Sequence, residues 1–110
     1  MKKKPTPEAI LTKQIRSILN AAGIFHWKAL QGLGSKRGIP DIIAVQPGTG
    51  RMIAIEVKAP RGVVSEAQQQ FLDAVDLQGG IAMVARSIED VIIGLGLQDR
   101  FKWTMKKGEK

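Results

Sequence analysis

The 110-residue chain has no cysteine, no tyrosine and a single histidine, and aromatic residues make up only 5 % of it. Without thiols, a disulfide scaffold and a thiolate zinc site are both excluded. With His26 alone, no multi-histidine metal cage can form, and a Ser-His-Asp triad would depend entirely on that residue. No apolar run approaches the ~18 residues that a membrane span needs. The opening MKKKPTPEAILTKQI is basic, but Lys13, Gln14 and Arg16 break its apolar stretch at once, so it does not read as a signal peptide. The expectation is a soluble cytoplasmic protein with no membrane partner. A hydrophobic content of 44 % argues against disorder of the whole chain. The length fits one domain, able to bury roughly two-thirds of the surface that its unfolded chain exposes.

The formal net charge of +7 is unevenly placed. Residues 1–37 carry eight basic side chains and one acid, Glu8. Residues 38–58 balance, with Arg51 and Lys58 against Asp41 and Glu56. Residues 59–100 are acidic, and the tail from 101 is basic again. Basic ends on a neutral middle suggest a polyanion as partner, most simply nucleic acid. Two solvated tails would give the same asymmetry, so charge alone leaves both readings open.

Hydrophobic spacing and punctuation divide the chain. Thr6-Pro7-Glu8 reads as a helix start, with Thr6 at the N-cap and Pro7 at the first helical position. Ile10, Leu11, Ile15, Ile18, Leu19 and Ala22 then recur at helical spacing until Gly23. A first strand is expected over 24–29, followed by a glycine-rich basic loop, QGLGSKRG, over 31–38. Strands are expected over 41–46 and 52–58, and PGTGR between them makes an antiparallel hairpin. Ser65 caps a helix to about Gln78, with Phe71, Leu72, Val75 and Leu77 on its apolar side. Ile81–Ala85 is a wholly apolar strand, of the kind found in the middle of a covered sheet. Ser87 caps a last helix to about Leu95. The order α-β-β-β-α-β-α implies an α/β fold, a mixed β-sheet flanked by helices.

Two carboxylates stand out because strands disfavour them. Asp41 opens a strand after Gly38-Ile39-Pro40, and Glu56 interrupts the apolar run Ile53–Val57. Strand alternation puts Glu56 and Lys58 on the face of Met52 and Ala54, with Ile53, Ile55 and Val57 on the other. If the hairpin pairs, the start of its first strand faces the end of its second, so Asp41, Glu56 and Lys58 gather at one end of the sheet. Two close carboxylates repel unless a cation lies between them. Mg²⁺ (or Mn²⁺) suits such oxygen ligands and commonly bridges carboxylates to phosphate, where it assists in-line attack on a phosphodiester. Lys58 would then stabilise developing negative charge or position the attacking water. Each residue also has a plain structural explanation: Pro-Asp as turn chemistry and Glu-x-Lys as a solvated face.

The string GIPD, fourteen intervening residues and then Glu56-Val57-Lys58 resembles the PD-(D/E)XK nuclease motif. More specifically, GIPDIIAV, IAIEVKAPRG and VSEAQQQFLDAV with Gly79-Gly80 are similar in order and spacing to the virus-type replication-repair nuclease domain, VRR-NUC. The resemblance implies one restriction-endonuclease-like domain across residues 1–110, with its core at about 8–95, a basic arm over 1–5 and a basic tail over 98–110. It implies a metal-dependent DNA endonuclease in which Asp41 and Glu56 are metal-binding acids, the Val57 carbonyl is a further ligand and Lys58 is the motif lysine. It also implies that Glu8 approaches the metal from the first helix and that Gln68 orders the site, although Ser65-x-x-Gln68 is equally a capping box. Lys28, Lys36, Arg37 and Arg61 are the candidate DNA contacts. The stretch GLGSK lacks the phosphate-loop spacing. His26 is expected in a strand near DNA or solvent, and Trp27 and Trp103 in a core or interface.

The reading that follows is a stand-alone endonuclease acting on branched DNA such as four-way junctions, as a homodimer; DNA repair, recombination and phage genome processing all fit it. The alternatives are a non-catalytic DNA-binding module, a nuclease subunit activated by a replication or repair partner, and a sequence-specific restriction-like enzyme.

Overall fold

A computed structural model describes residues 4–30 and 36–101. Most of the expected glycine-rich loop, Trp103 and nearly all of the basic tail, and the first residues of the basic arm lie outside the described residues. Three helices and four strands follow in the order α1 (Pro7–Ala21), β1 (His26–Lys28), β2 (Ile42–Val45), β3 (Met52–Val57), α2 (Glu66–Leu77), β4 (Ile81–Ala85) and α3 (Ile88–Gly94). The helix starts are the ones that the hydroxyl residues announce. Thr6, Ser65 and Ser87 each accept a backbone N–H of the first turn, and Pro7 occupies a position where a missing N–H costs nothing.

One mixed sheet runs β1-β2-β3-β4, with the first three strands antiparallel and β4 parallel to β3. The parallel step requires a crossover, which α2 supplies. Alternate residues serve the two faces. Ile42, Ala44, Ile53, Ile55 and Val57 pack with Ile15, Leu19 and Val91 under α1 and α3. On the other face Ile43 and Ala54 meet Leu72 and Val75 of α2. Ile15, Leu19, Ile42, Ile53 and Ile55 are completely buried, so the hairpin is the floor of both cores.

Three details differ from the sequence reading. β4 is an edge strand, not a central one: α2 and α3 cover its two faces, which accounts for its apolar run, and its outer edge has no strand partner among the described residues. A run that is apolar at every position reports covered faces, not a place in the strand order. β1 is shorter than expected because Ile24 N–H bonds back to the Leu19 carbonyl and ties that end to the helix exit. Leu77 is 84 % exposed. It lies two residues beyond Val75, about 200° around the helix and off the face that Leu72 and Val75 define.

Candidate active site

The β2–β3 register pairs Ile42 with Ile55, so the next rung brings Asp41 to Glu56. The tight connection between the strands, in which Gln46 N–H donates to the Arg51 carbonyl, fixes that register. Asp41 Oδ2 accepts the Val57 backbone N–H at 2.7 Å, which holds the carboxylate against the end of β3. Glu56 is 2 % exposed. Its Oε2 accepts Gln68 Nε2 at 3.0 Å and lies 3.7 Å from Lys58 Nζ. Gln68 does two things at once. Its Oε1 accepts the Ser65 N–H and closes the capping box, while its amide nitrogen reaches Glu56.

The loop that delivers Asp41 needs a glycine. Gly38 has φ +76° and packs on the first turn of α2, where a Cβ would overlap the Ala67 carbonyl. This contact sets Asp41 and Gln68 relative to one another, because the two elements that carry them touch there.

The electrostatics of the site are strained. The Glu56 carboxyl is pushed up from 4.5 to about 7, first by burial and then by the charge of Asp41; Lys58 opposes the shift and Glu8 adds to it. Glu56 Oε1 is buried with no hydrogen-bond partner among the described residues. Oxygen donors, excess negative charge and an orphaned carboxylate oxygen fit a hard divalent cation. Among the described residues no three His, Cys, Asp or Glu side chains gather as a group that could hold an ion. The fit is therefore to an ion that keeps several waters, as Mg²⁺ does, and not to an all-protein cage.

Glu8 stands at the border of this group. Its Oε2 accepts the Ala59 N–H at 3.2 Å, so it ties the start of α1 to the residue after Lys58. That same turn is gripped by Arg86, which the sequence reading did not single out. Arg86 Nη1 donates to the carbonyls of Ala59, Pro60 and Gly62 at 2.8, 3.2 and 2.8 Å. Its backbone N–H donates to Asp90, which anchors it to α3. The partners are backbone atoms more than twenty residues away, so no side-chain pattern announces them.

The candidate DNA contacts are dispersed. Lys28, Lys36, Arg37 and Arg61 are all exposed. Lys28 lies on β1 beside α1, and Arg61 is in the turn held by Arg86. Lys36 and Arg37 flank a groove of about 1170 Å³ between α2 and the tip of the hairpin. None of Glu8, Asp41, Glu56 or Lys58 lines that groove. His26 is half-buried; its Nδ1 donates to the Ile24 carbonyl at 2.9 Å, and its Nε2 is buried without a partner among the described residues. Trp27 is half-exposed and packs against Phe25, with ring centroids 5.5 Å apart.

A hairpin ending in paired carboxylates and a lysine, extended by a parallel strand and faced by helices on both sides, is the restriction-endonuclease-like α/β arrangement. The VRR-NUC domain family matches residues 3–89. A solved structure described as a VRR_NUC domain covers 81 % of this chain and 96 % of its own, with a TM-score of 0.67 and 24 % sequence identity, a likeness of fold. No curated protein matches the chain. The chain belongs to the VRR-NUC family, and with it to the nuclease-type domains of the PD-(D/E)XK superfamily.

Proposed function

We propose that the chain is a metal-dependent endonuclease that hydrolyses DNA phosphodiesters, with branched DNA as its preferred substrate. The observation that carries the reading is Glu56: a buried carboxylate beside Asp41, with one oxygen held by Gln68 and Lys58 and the other without a partner among the described residues. Asp41, Glu56 and the Val57 carbonyl would hold Mg²⁺ or Mn²⁺, and Glu8 would approach from the border. A bound divalent cation would supply Lewis acidity, lowering the pKa of water and neutralising charge on the phosphate.

The remaining work belongs to the chain. Gln68 donates to Glu56 Oε2 and so leaves Oε1 as the oxygen that a cation would meet. The Val57 N–H holds Asp41 through Oδ2 and leaves its second oxygen for the same role. Lys58, held 3.7 Å from Glu56, presents an ammonium to the pentavalent phosphorus region and stabilises the charge that develops there. Lys28, Lys36, Arg37 and Arg61 contact phosphates and carry no sequence information, in keeping with selection by DNA shape. A symmetric dimer would present two sites to opposed strands of a junction.

The test is cleavage of a labelled four-way junction beside matched duplex, flap and single strand, with Mg²⁺, Mn²⁺ or EDTA. Metal-dependent paired cuts in the junction are expected. Cutting of other substrates alone would remove the branched-DNA preference, and binding without cutting in either metal would overturn the nuclease reading. A monomer by light scattering at micromolar concentration would overturn the dimer.

A further inference from the structure

Beside the buried stripe of α1 runs a polar one. Lys13, Arg16, Ser17 and Asn20 recur at helical spacing, and with Ala9, Thr12 and, from β1, Lys28 they wall a cavity of about 270 Å³. Its charged lining residues are all cations. Arg16 Nε is buried and has no hydrogen-bond partner among the described residues. A guanidinium donor shut away from water is costly unless an acceptor meets it. An arginine on a merely solvated face would keep that nitrogen wet.

We propose that this cavity is a phosphate subsite that holds one backbone phosphate of the DNA strand. Arg16 provides the planar fork, Lys13 and Lys28 the flanking charges, and Ser17 and Asn20 neutral donors. The inference rests on the nuclease reading above and says where the strand runs beyond the carboxylates. The subsite adjoins them through two elements. Lys28 pairs with Ile42, the neighbour of Asp41, and Ala29 N–H donates to the Asp41 carbonyl. From the other side, α1 starts at Glu8, which is tied to Ala59. At 1.5 Å per residue, Lys13 and Arg16 lie about 8 and 12 Å along the helix from Glu8. The subsite therefore takes a phosphate within a few nucleotides of the scissile one.

The experiment separates binding from cleavage by working in EDTA. Affinity for a labelled 20-base-pair duplex is measured across a salt series for wild type, Lys13→Ala/Arg16→Ala, Arg16→Lys, and Arg51→Ala/Arg100→Ala, which removes the same two charges elsewhere. The subsite predicts that the first variant weakens binding about tenfold or more, with a salt slope shallower by about 1 to 2. Arg16→Lys should recover part of the affinity, and the Arg51/Arg100 variant should stay close to wild type. Independently of folding in any variant, inorganic phosphate titrated into wild-type protein should shift the Arg16 Nε–H resonance by NMR. Equal losses in the two double variants would overturn the subsite in favour of net charge. An Arg16 resonance that ignores phosphate would overturn it as well. Either result would leave the nuclease reading standing on its cleavage assay. Failure to cleave, with this binding pattern intact, would sink the nuclease and keep the subsite.

Discussion

Glu56 carries a charge that its surroundings resist, and the consequence is measurable without any substrate. The unfolded chain releases this proton near 4.5, whereas the folded protein holds it to about 7. Between those values the native state binds more protons than the unfolded one, so stability falls as pH rises. The contribution is complete below 4.5, is lost above 7 and amounts to about 3 kcal/mol. Thermal melting of metal-free protein should show this decline, and Glu56→Gln should flatten it and melt higher than wild type at pH 8. An unchanged pH profile in the variant would remove Glu56 as its source. Mn²⁺ should act in the opposite direction, stabilising the ionised form and releasing a proton as it binds. Gly38 is the second residue with a sharp expectation. Gly38→Ala puts a side chain at φ +76° and into the Ala67 backbone, a cost on the order of 3 kcal/mol. Chemical denaturation checks it, and a loss under 1 kcal/mol would mean that the loop does not bear on α2.

The elements were legible in proportion to how local their signals are. Caps, turn glycines and period-two alternation lie within a few residues of what they specify, and all three helix starts and the hairpin follow them. The opposition of Asp41 and Glu56 was readable for the same reason, because the short connection over residues 46–51 fixes the register that joins them. The edge position of β4 was not, since an apolar run records what covers a strand and not what pairs with it. Nor was the exposure of Leu77, a hydrophobic residue out of phase with its helix. Gln68 was readable as a cap, and its reach to Glu56 needed the resemblance or the structure. Arg86 was invisible because its acceptors are carbonyls of a distant turn. Arg86→Ala should therefore free the 59–62 turn that follows Lys58. We expect a loss of about 1 kcal/mol, since the guanidinium is exposed and water replaces part of each bond. Hydrogen exchange should quicken at the Ala59 and Gly62 amides and not in β2, and an exchange pattern like that of wild type would contradict the clamp.

Across the whole molecule, one end of the sheet collects what the ends of four elements carry. Asp41 comes from the start of β2, Glu56 and Lys58 from the end of β3, Gln68 from the first turn of α2 and Glu8 from the first turn of α1. Two hydrophobic layers hold those ends in place, so the polar group lies between cores and not on a loose surface. This arrangement explains how a charged strand residue is tolerated at 2 % exposure: its cost is carried by burial of the isoleucines around it and offset by Gln68 and Lys58. It also explains why the sheet can be small, because the site needs only one hairpin, one helix start on each face and the turn after β3. The most direct measurement is metal-dependent cleavage of labelled DNA by wild type, Asp41→Ala, Glu56→Ala and Lys58→Ala, purified in parallel and shown by melting to be folded. Wild type should cut with Mg²⁺ or Mn²⁺ and not in EDTA, and each variant should lose on the order of 10²-fold or more in rate. Wild-type cleavage rates in Asp41→Ala or Glu56→Ala would contradict the account.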